Sequence, residues 1–281
     1  MIFMLKLPKL DSKYVKEESI KFIKEIIEKS KSEKAIIGIS GGIDSTVVAY
    51  LLKEALGEKN VLGYHLYSET TPKEDTDHAR LIANQLNISY TEIAIDNISN
   101  EFIDTINQSQ SENSKNNKLD NKLDNKLAIG NLKARIRMSI LYYFANLNNG
   151  LVAGTGNKSE LLIGYFTKHG DGACDFELIG DIYKTQLKQL ATNWNIPNEI
   201  ITKPPRAGLW IDQSDEDEIG MTYELLDNIL HLIEDKKLDD DSILKEINVS
   251  SSEINNVRSK IAINQHKTQI PLTPFMSKKL L

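Results

Sequence analysis

Residues 35–39 read Ala-Ile-Ile-Gly-Ile, an apolar run that stops at Ser40-Gly41-Gly42 and gives way at once to a helical pattern near Asp44 and Ser45. The same change of period recurs. Strand-like runs at 60–67, 87–95 and 151–153 alternate with amphipathic stretches at 45–56, 73–86 and 128–147, after an opening helix at 14–31. Parallel strands need long crossovers, and helices covering both faces of a sheet supply them. The order therefore predicts an α/β fold: a three-layer, doubly wound parallel sheet of Rossmann-like form. Ligands bind such sheets beyond the carboxyl ends of the strands, and residues 40–44 fall at one of those ends. A chain of 281 residues with a hydrophobic fraction of 40% can build one large core, so a single domain, 1–281, is expected.

Charge and cysteine usage narrow the function classes. A formal charge of -6 argues against broad nucleic-acid binding and leaves small polyanions as partners. Cys174 is the one cysteine, so neither an internal disulfide nor a cysteine zinc cluster can form, and a cytoplasmic place is the simplest reading. No stretch approaches the length of a membrane span. Residues 109–126 repeat Lys-Leu-Asp-Asn and are otherwise polar, which predicts a mobile insert; a helical extension of 128–147 is the alternative. The acidic run at 212–218 reads as a solvated face or a helix start rather than a metal cage.

The loop at 40–45 has chemistry of its own. Gly41 and Gly42 permit backbone angles and a close ligand approach that a side chain would forbid. The first turn of the next helix leaves unpaired amides and a positive dipole end facing the same space, and Ser40, Ser45 and Thr46 add hydroxyls. A dipole contribution of about 1 kcal/mol does not hold a nucleotide, so several backbone donors must act with a cation. Asp44 suits that cation: it repels a bare phosphate but can hold Mg2+ against phosphate oxygens. Neither GxxxxGK[ST] nor GxGxxG fits the stretch. A tight turn with Asp44 as helix cap remains the alternative for the glycine pair by itself.

The complete run SGGIDS after an apolar strand resembles the signature of the PP-loop ATP pyrophosphatases, which cleave ATP between its α and β phosphates to activate a carbonyl oxygen. A second block, 151–191, carries GTGNKSE, GYFTKHGDG, Asp175 and a helix opened by Lys184-Thr185. This block is similar to the ammonia-dependent NAD synthetases. With GNLKARIRM at 130–138 and the pair His266-Lys267, the likeness spans about 35–270. It implies the adenine nucleotide alpha hydrolase (PP-loop) fold and the adenylation of deamido-NAD on its nicotinate carboxylate. Ammonia then displaces AMP to give NAD. ATP is implied on Gly38, Ile39, Ser40, Gly41, Gly42, Ile43, Asp44 and Ser45, with Thr155 at the adenosine and Lys184 at the phosphates. Mg2+ is implied on Asp44 and Glu160, which with Lys184 form the catalytic set. Deamido-NAD is implied on Arg135, Lys168, Asp175, His266 and Lys267. One departure stands out: KPPRAGLW places Arg206 where the family usually offers a small hydroxyl residue, so an ATP contact there rests on a different side chain.

Other readings of these residues stay open on sequence grounds. Arg135 and Arg137 could form an exposed basic helix face. Asp171 suits a turn between Gly170 and Gly172, and Cys174 suits an inert small position. A tRNA-modifying or GMP-forming PP-loop enzyme and a non-catalytic nucleotide-binding module are the alternative functions; paired carboxylates at 44 and 160 favour turnover over binding alone. The resemblance also implies a homodimer, with the apolar faces of 14–31 and 132–147 as candidate surfaces. The glutamine-using forms of the family carry an extra amidase domain for which 281 residues leave no room, so ammonia is the expected donor; a separate glutaminase partner is not indicated.

Overall fold

A computed structural model describes residues 7–111, 122–206, 208, 210 and 213–274, without side-chain detail at 110–111 and 122–125. Helix α1, Ser12–Ser30, is opened by the Asp11 carboxylate, which accepts from Lys13 N and Tyr14 N, and closed by Lys31 in the left-handed region. Then come β1 (Lys34–Gly38), α2 (Ile43–Leu56), β2 (Val61–Tyr67), α3 (Lys73–Leu86), β3 (Ser89–Ala94), α4 (Asp96–Ser111), α5 (Lys122–Leu147) and β4 (Gly150–Gly154). A shorter-stepped half follows: α6 (Lys158–Ile163), β5 (Phe176–Glu177), α7 (Lys184–Asn193), α8 (Asn198–Ile201), α9 (Asp215–Ile219), α10 (Tyr223–Leu230), α11 (Asp240–Glu246) and α12 (Ser251–Asn264).

The described strands form one parallel sheet in the order β3-β2-β1-β4-β5. The chain winds outward from β1 in one direction and then, after α5, in the other. That reversal opens a crevice beyond the carboxyl ends of β1 and β4. Alternation along β1 shows why the sheet is covered twice. Ala35 and Ile37 join Val47, Leu51, Leu187 and Leu190 beneath α1, α2 and α7, while Ile36 points the other way to meet Tyr64, Ile136 and Val152 under α5. A third cluster, built on Ile163, Tyr183, Leu226, Ile229, Ile254 and Val257, joins α6 to α10 and α12 outside the sheet.

The expected strands and helices occur with ends shifted by a few residues. Several elements were not anticipated, α6, α10 and α12 among them; β5 is too short to show a period, and α4 carries Ile98, Phe102 and Ile106 four apart on a largely polar segment. Residues 112–121 of the expected mobile insert lie outside the described residues; on either side the chain is helical, ending α4 and opening α5. The acidic run resolves as a helix start, with Ser214 Oγ accepting from Asp217 N ahead of four acidic residues.

Leu187 is fully buried in the layer between α2 and α7, three residues past Lys184. Leu187→Ala is expected to lower the unfolding free energy by about 2–5 kcal/mol, measured in urea at unchanged slope.

Candidate active site

The crevice holds a cavity of about 650 Å³. Its floor is the turn from β1 to α2. Gly41 takes φ +79°, and a Cβ there would stand 2.1 Å from the Asp75 carbonyl oxygen, so α3 and the loop touch backbone to backbone. Gly42 caps α2 without any side-chain bond to the helix amides. The hydroxyls behave differently from caps: Ser45 Oγ and Thr46 Oγ1 donate backward to Gly42 O at 3.2 and 2.8 Å, and Ser40 N donates to Ser45 Oγ at 3.2 Å. They brace the loop from beneath and leave the end of α2 free of a resident side-chain acceptor.

Above this floor three charged groups converge from distant parts of the chain. The Lys184 ammonium, at the start of α7, donates to Asp44 Oδ2 at 2.5 Å and to Glu160 Oε1 at 3.4 Å. Asn157 sets the geometry. Its Oδ1 accepts from Glu160 N at 3.1 Å and Glu160 Oε2 accepts from Asn157 N at 3.4 Å, a reciprocal cap on α6, while Asn157 Nδ2 donates to Asp44 Oδ1 at 2.9 Å. Tyr223 Oη adds a donor to Glu160 Oε1 at 3.3 Å. Burial raises the Glu160 carboxyl to about 8; the Lys184 charge pulls it down, and Asp44 and Asp215 push it up again. Burial works against the Lys184 ammonium, but Asp44 and then Glu160 outweigh it and hold the amine above its ordinary range.

A second charged group ties the loop to α3. Asp75 pairs with Lys203 and with Arg206 Nη2, each at 2.6 Å; Lys203 Nζ also donates to Gly41 O at 3.1 Å, and Arg206 Nη2 reaches Glu74 at 3.2 Å. The Arg206 Nε is buried with no hydrogen-bond partner among the described residues. Farther round the wall, Tyr165 Oη donates to Asp215 and Glu218 at 3.0 and 2.6 Å.

Of the residues singled out in the sequence, the structure gathers Gly38, Ile39, Ser40, Gly42, Ile43, Asp44, Ser45, Thr155, Glu160, Lys184, Arg206 and Lys267 along this cavity; Gly41 lies just behind it. Arg135, Lys168, Asp175 and His266 are not on the cavity wall. Three of these form a chain of contacts beside it: Arg135 Nε donates to Lys168 O at 3.3 Å, and Lys168 Nζ to His266 O at 2.6 Å. Lys267 Nζ closes the same strip, donating to Gly164 O and Phe166 O at 2.6 and 2.9 Å. Asp175 stands apart, accepting from Val152 N at 2.7 Å and from Tyr142 Oη at 3.4 Å. Arg137 does not share the exposed face of Arg135; it is half-buried, lines the cavity and donates to Leu66 O at 2.7 Å. Asp171 holds a turn by accepting from Thr167 N at 3.0 Å. Burial pushes the Cys174 thiol far up, which keeps it unreactive.

The sequence profile of the NAD synthase family matches residues 15–271. The chain belongs to the NAD synthase family. A family member from Methanocaldococcus jannaschii, named NH(3)-dependent NAD(+) synthetase, is 46% identical over 254 residues, 90% of this chain and 93% of that protein. Among solved structures, the NH3-dependent NAD synthetase of Campylobacter jejuni in complex with the nitrate ion superposes with a TM-score of 0.74 at 32% identity, over 94% of this chain and 100% of that one. The NMN synthetase of Francisella tularensis gives 0.79 at 29%, over 95% and 100%. The five-stranded parallel sheet is thus the Rossmann-like sheet of PP-loop NAD synthetases. The residues of this site that sequence reading gave no role are Asn157, Lys203, Asp215 and Tyr223. Only Asn157 carries a local signal, the Asn-x-x-Glu spacing of a capping box.

Glu160 binds its proton more tightly in the folded chain than its ordinary value of 4.5, so the folded state holds the extra proton between pH 4.5 and about 8. Stability contributed by this group is present below that window and lost as pH rises through it. The unfolding free energy of the native chain relative to Glu160→Gln should fall across the window and flatten beyond it, measured by urea titration at stepped pH.

Proposed function

We propose that this chain catalyses the ATP-dependent amidation of deamido-NAD by ammonia, giving NAD, AMP and pyrophosphate. It is a ligase that forms a carbon-nitrogen bond. The observation that carries the reading is the convergence of Asp44, Glu160 and Lys184 over a phosphate-sized loop at the switch point of the sheet, in a chain of this family. A carboxylate does not yield to ammonia, because oxide is too poor a leaving group. The nicotinate oxygen therefore attacks the α phosphorus of ATP, the α–β phosphoanhydride bond breaks, and pyrophosphate leaves with the bonding pair. Ammonia adds through its lone pair to the acyl carbon, the carbon–oxygen bond to AMP breaks, and the surplus proton goes to solvent or a basic group.

The chain's own residues fit these steps. The open end of α2 and the loop amides receive the phosphates. Lys184, held charged by Asp44 first and Glu160 second, turns toward the phosphates as negative charge gathers on the departing pyrophosphate. Thr155 lines the same cavity at the end of β4, suited to the adenosine. Asp44 and Glu160 offer hard oxygen donors to a cation, and a lysine ammonium already bridges them, so the place demands positive charge. Two carboxylates with phosphate oxygens and water suit Mg2+, which when bound supplies Lewis-acid charge to the departing pyrophosphate. Arg206 borders the loop with an uncommitted Nε and suits a phosphate oxygen in place of the family's hydroxyl. The strip of Arg135, Lys168, His266 and Lys267 supports a dinucleotide site at the cavity mouth, with Asp175 a separate candidate just before β5. We assign the same chain a cytoplasmic place, since ATP and a charged dinucleotide do not cross a bilayer unaided.

A homodimer belongs to this reading. Ile98, Phe102 and Ile106 of α4 and Leu127, Tyr143 and Leu147 of α5 are all exposed, apolar surface that a second copy would cover. Light scattering on the purified chain should give twice the monomer mass; monomer mass at working concentration overturns the assembly.

Incubation with ATP, Mg2+, ammonium and either deamido-NAD or the corresponding mononucleotide acid should yield AMP with NAD as the preferred product, and glutamine should not replace ammonium. Glu160→Gln should lower that rate by about 100-fold or more while nucleotide still binds, read by equilibrium binding. NAD formation at the native rate by this variant would remove the carboxylate from the mechanism.

A further inference from the structure

Helix α10 continues past Leu230 through a π turn, His231–Asp235, closed by Lys236 N donating to His231 O at 3.0 Å. Residues 223, 227, 231 and 235 lie four apart and meet the two segments that carry Glu160 and Lys184. At the cavity end Tyr223 reaches Glu160. At the far end Asp235 accepts from Lys158 Nζ at 2.9 Å, Tyr183 Oη at 3.0 Å and His231 Nδ1 at 2.7 Å. Between them sits Asp227, 0% exposed. Its carboxylate accepts from Ser159 Oγ at 2.5 Å, from Thr185 N at 2.9 Å and from Thr185 Oγ1 at 2.7 Å. Ser159 Oγ in turn accepts from Lys184 N at 3.0 Å. One side chain thus joins the residue before Glu160 to the residue after Lys184, and, through Ser159, to the backbone of Lys184 itself.

We propose that Asp227 is a positioning residue for the adenylation step, resting on the amidation reading above: its carboxylate fixes the starts of α6 and α7 in one register, so that Glu160 and Lys184 meet over Asp44. Helix α6 has six residues, too few to set its own direction. A carboxylate does what an amide cannot here. It accepts on both oxygens at once, whereas Asn must turn its NH2 either toward the two Thr185 donors or toward Ser159 Oγ, whose hydroxyl hydrogen then loses its acceptor. Burying a charge is costly, and a junction that needed only cohesion is served as well by apolar packing. The charge sits instead at the amides that open α7, where the helix dipole favours it, and so ties two backbones that bear the site.

The test compares full-length Asp227→Asn, Ser159→Ala and Asp235→Asn with the native chain, reading melting temperature together with kcat and KM in NAD formation. Asp227→Asn and Ser159→Ala are expected to lower kcat by about 10- to 100-fold with KM little changed, the pattern of a contact that matters in the transition state. Asp235→Asn loosens the same helix farther from the cavity and is expected to lower the melting temperature while keeping kcat. Equal kcat for all three variants, corrected for folded fraction, overturns the positioning role. Should Asp227→Asn fail to fold, Ser159→Ala, which loses one hydroxyl, decides the matter by the same criterion. Absence of NAD formation by the native chain would overturn the amidation reading instead.

Discussion

A lysine ammonium enclosed between two carboxylates governs this molecule. Taking an ammonium and two carboxyl groups out of water is expensive, and the pairing recovers the expense only if the geometry is held closely. Asp44, Glu160 and Lys184 come from the starts of three helices, the first more than a hundred residues before the other two, and none is set by its own neighbours alone. The sheet supplies the first constraint. Because β1 and β4 lie side by side and run the same way, α2 and α6 both begin at the same edge and point their amides into one space. The second constraint is the helical layer outside the sheet, which presses α6 and α7 together.

The charge pattern around the loop explains how a protein of net negative charge can receive two polyanions. Three cations beside the loop have acidic partners: Lys184 on Asp44 and Glu160, Lys203 and Arg206 on Asp75. Such partners neutralise the cations without consuming the backbone amides, so phosphate oxygens can enter by exchanging with carboxylates rather than by displacing a fixed structure. Glu160 with its raised proton affinity is the softest of these partners. A cation arriving with the nucleotide restores the charge balance that the exchange disturbs.

Much of this was legible in the sequence where information is local. The strand-to-helix break at 38–45 announces itself by a change of period, and the phosphate loop is contiguous, so both its place and its chemistry could be read. The double winding follows from strict alternation of runs. Contacts between remote residues left no such trace. Asn157 betrays its cap on α6, but its second bond, to Asp44, spans 113 residues and has no local mark. Lys203 and Asp75 look like ordinary surface charges until α3 and the late loop are brought together, and Asp227 looks like one more polar residue on an amphipathic helix. Strand β5 was invisible because two residues carry no period. The dinucleotide residues were named from resemblance, and the gathering of all but Asp175 around 164–168 depends on the tail folding back across α6.

That returning tail bears on how the protein is made. Asn264 and Lys267 donate to the carbonyls that end α6 and begin the following loop, at Ile163, Gly164 and Phe166. A ribosome releases the phosphate loop early and these clasping residues only after more than two hundred further codons. The nascent polypeptide can finish its sheet and still lack the two side chains that tie down residues 163–166, so the loop after α6 is clasped only once the strands beside it are already in place.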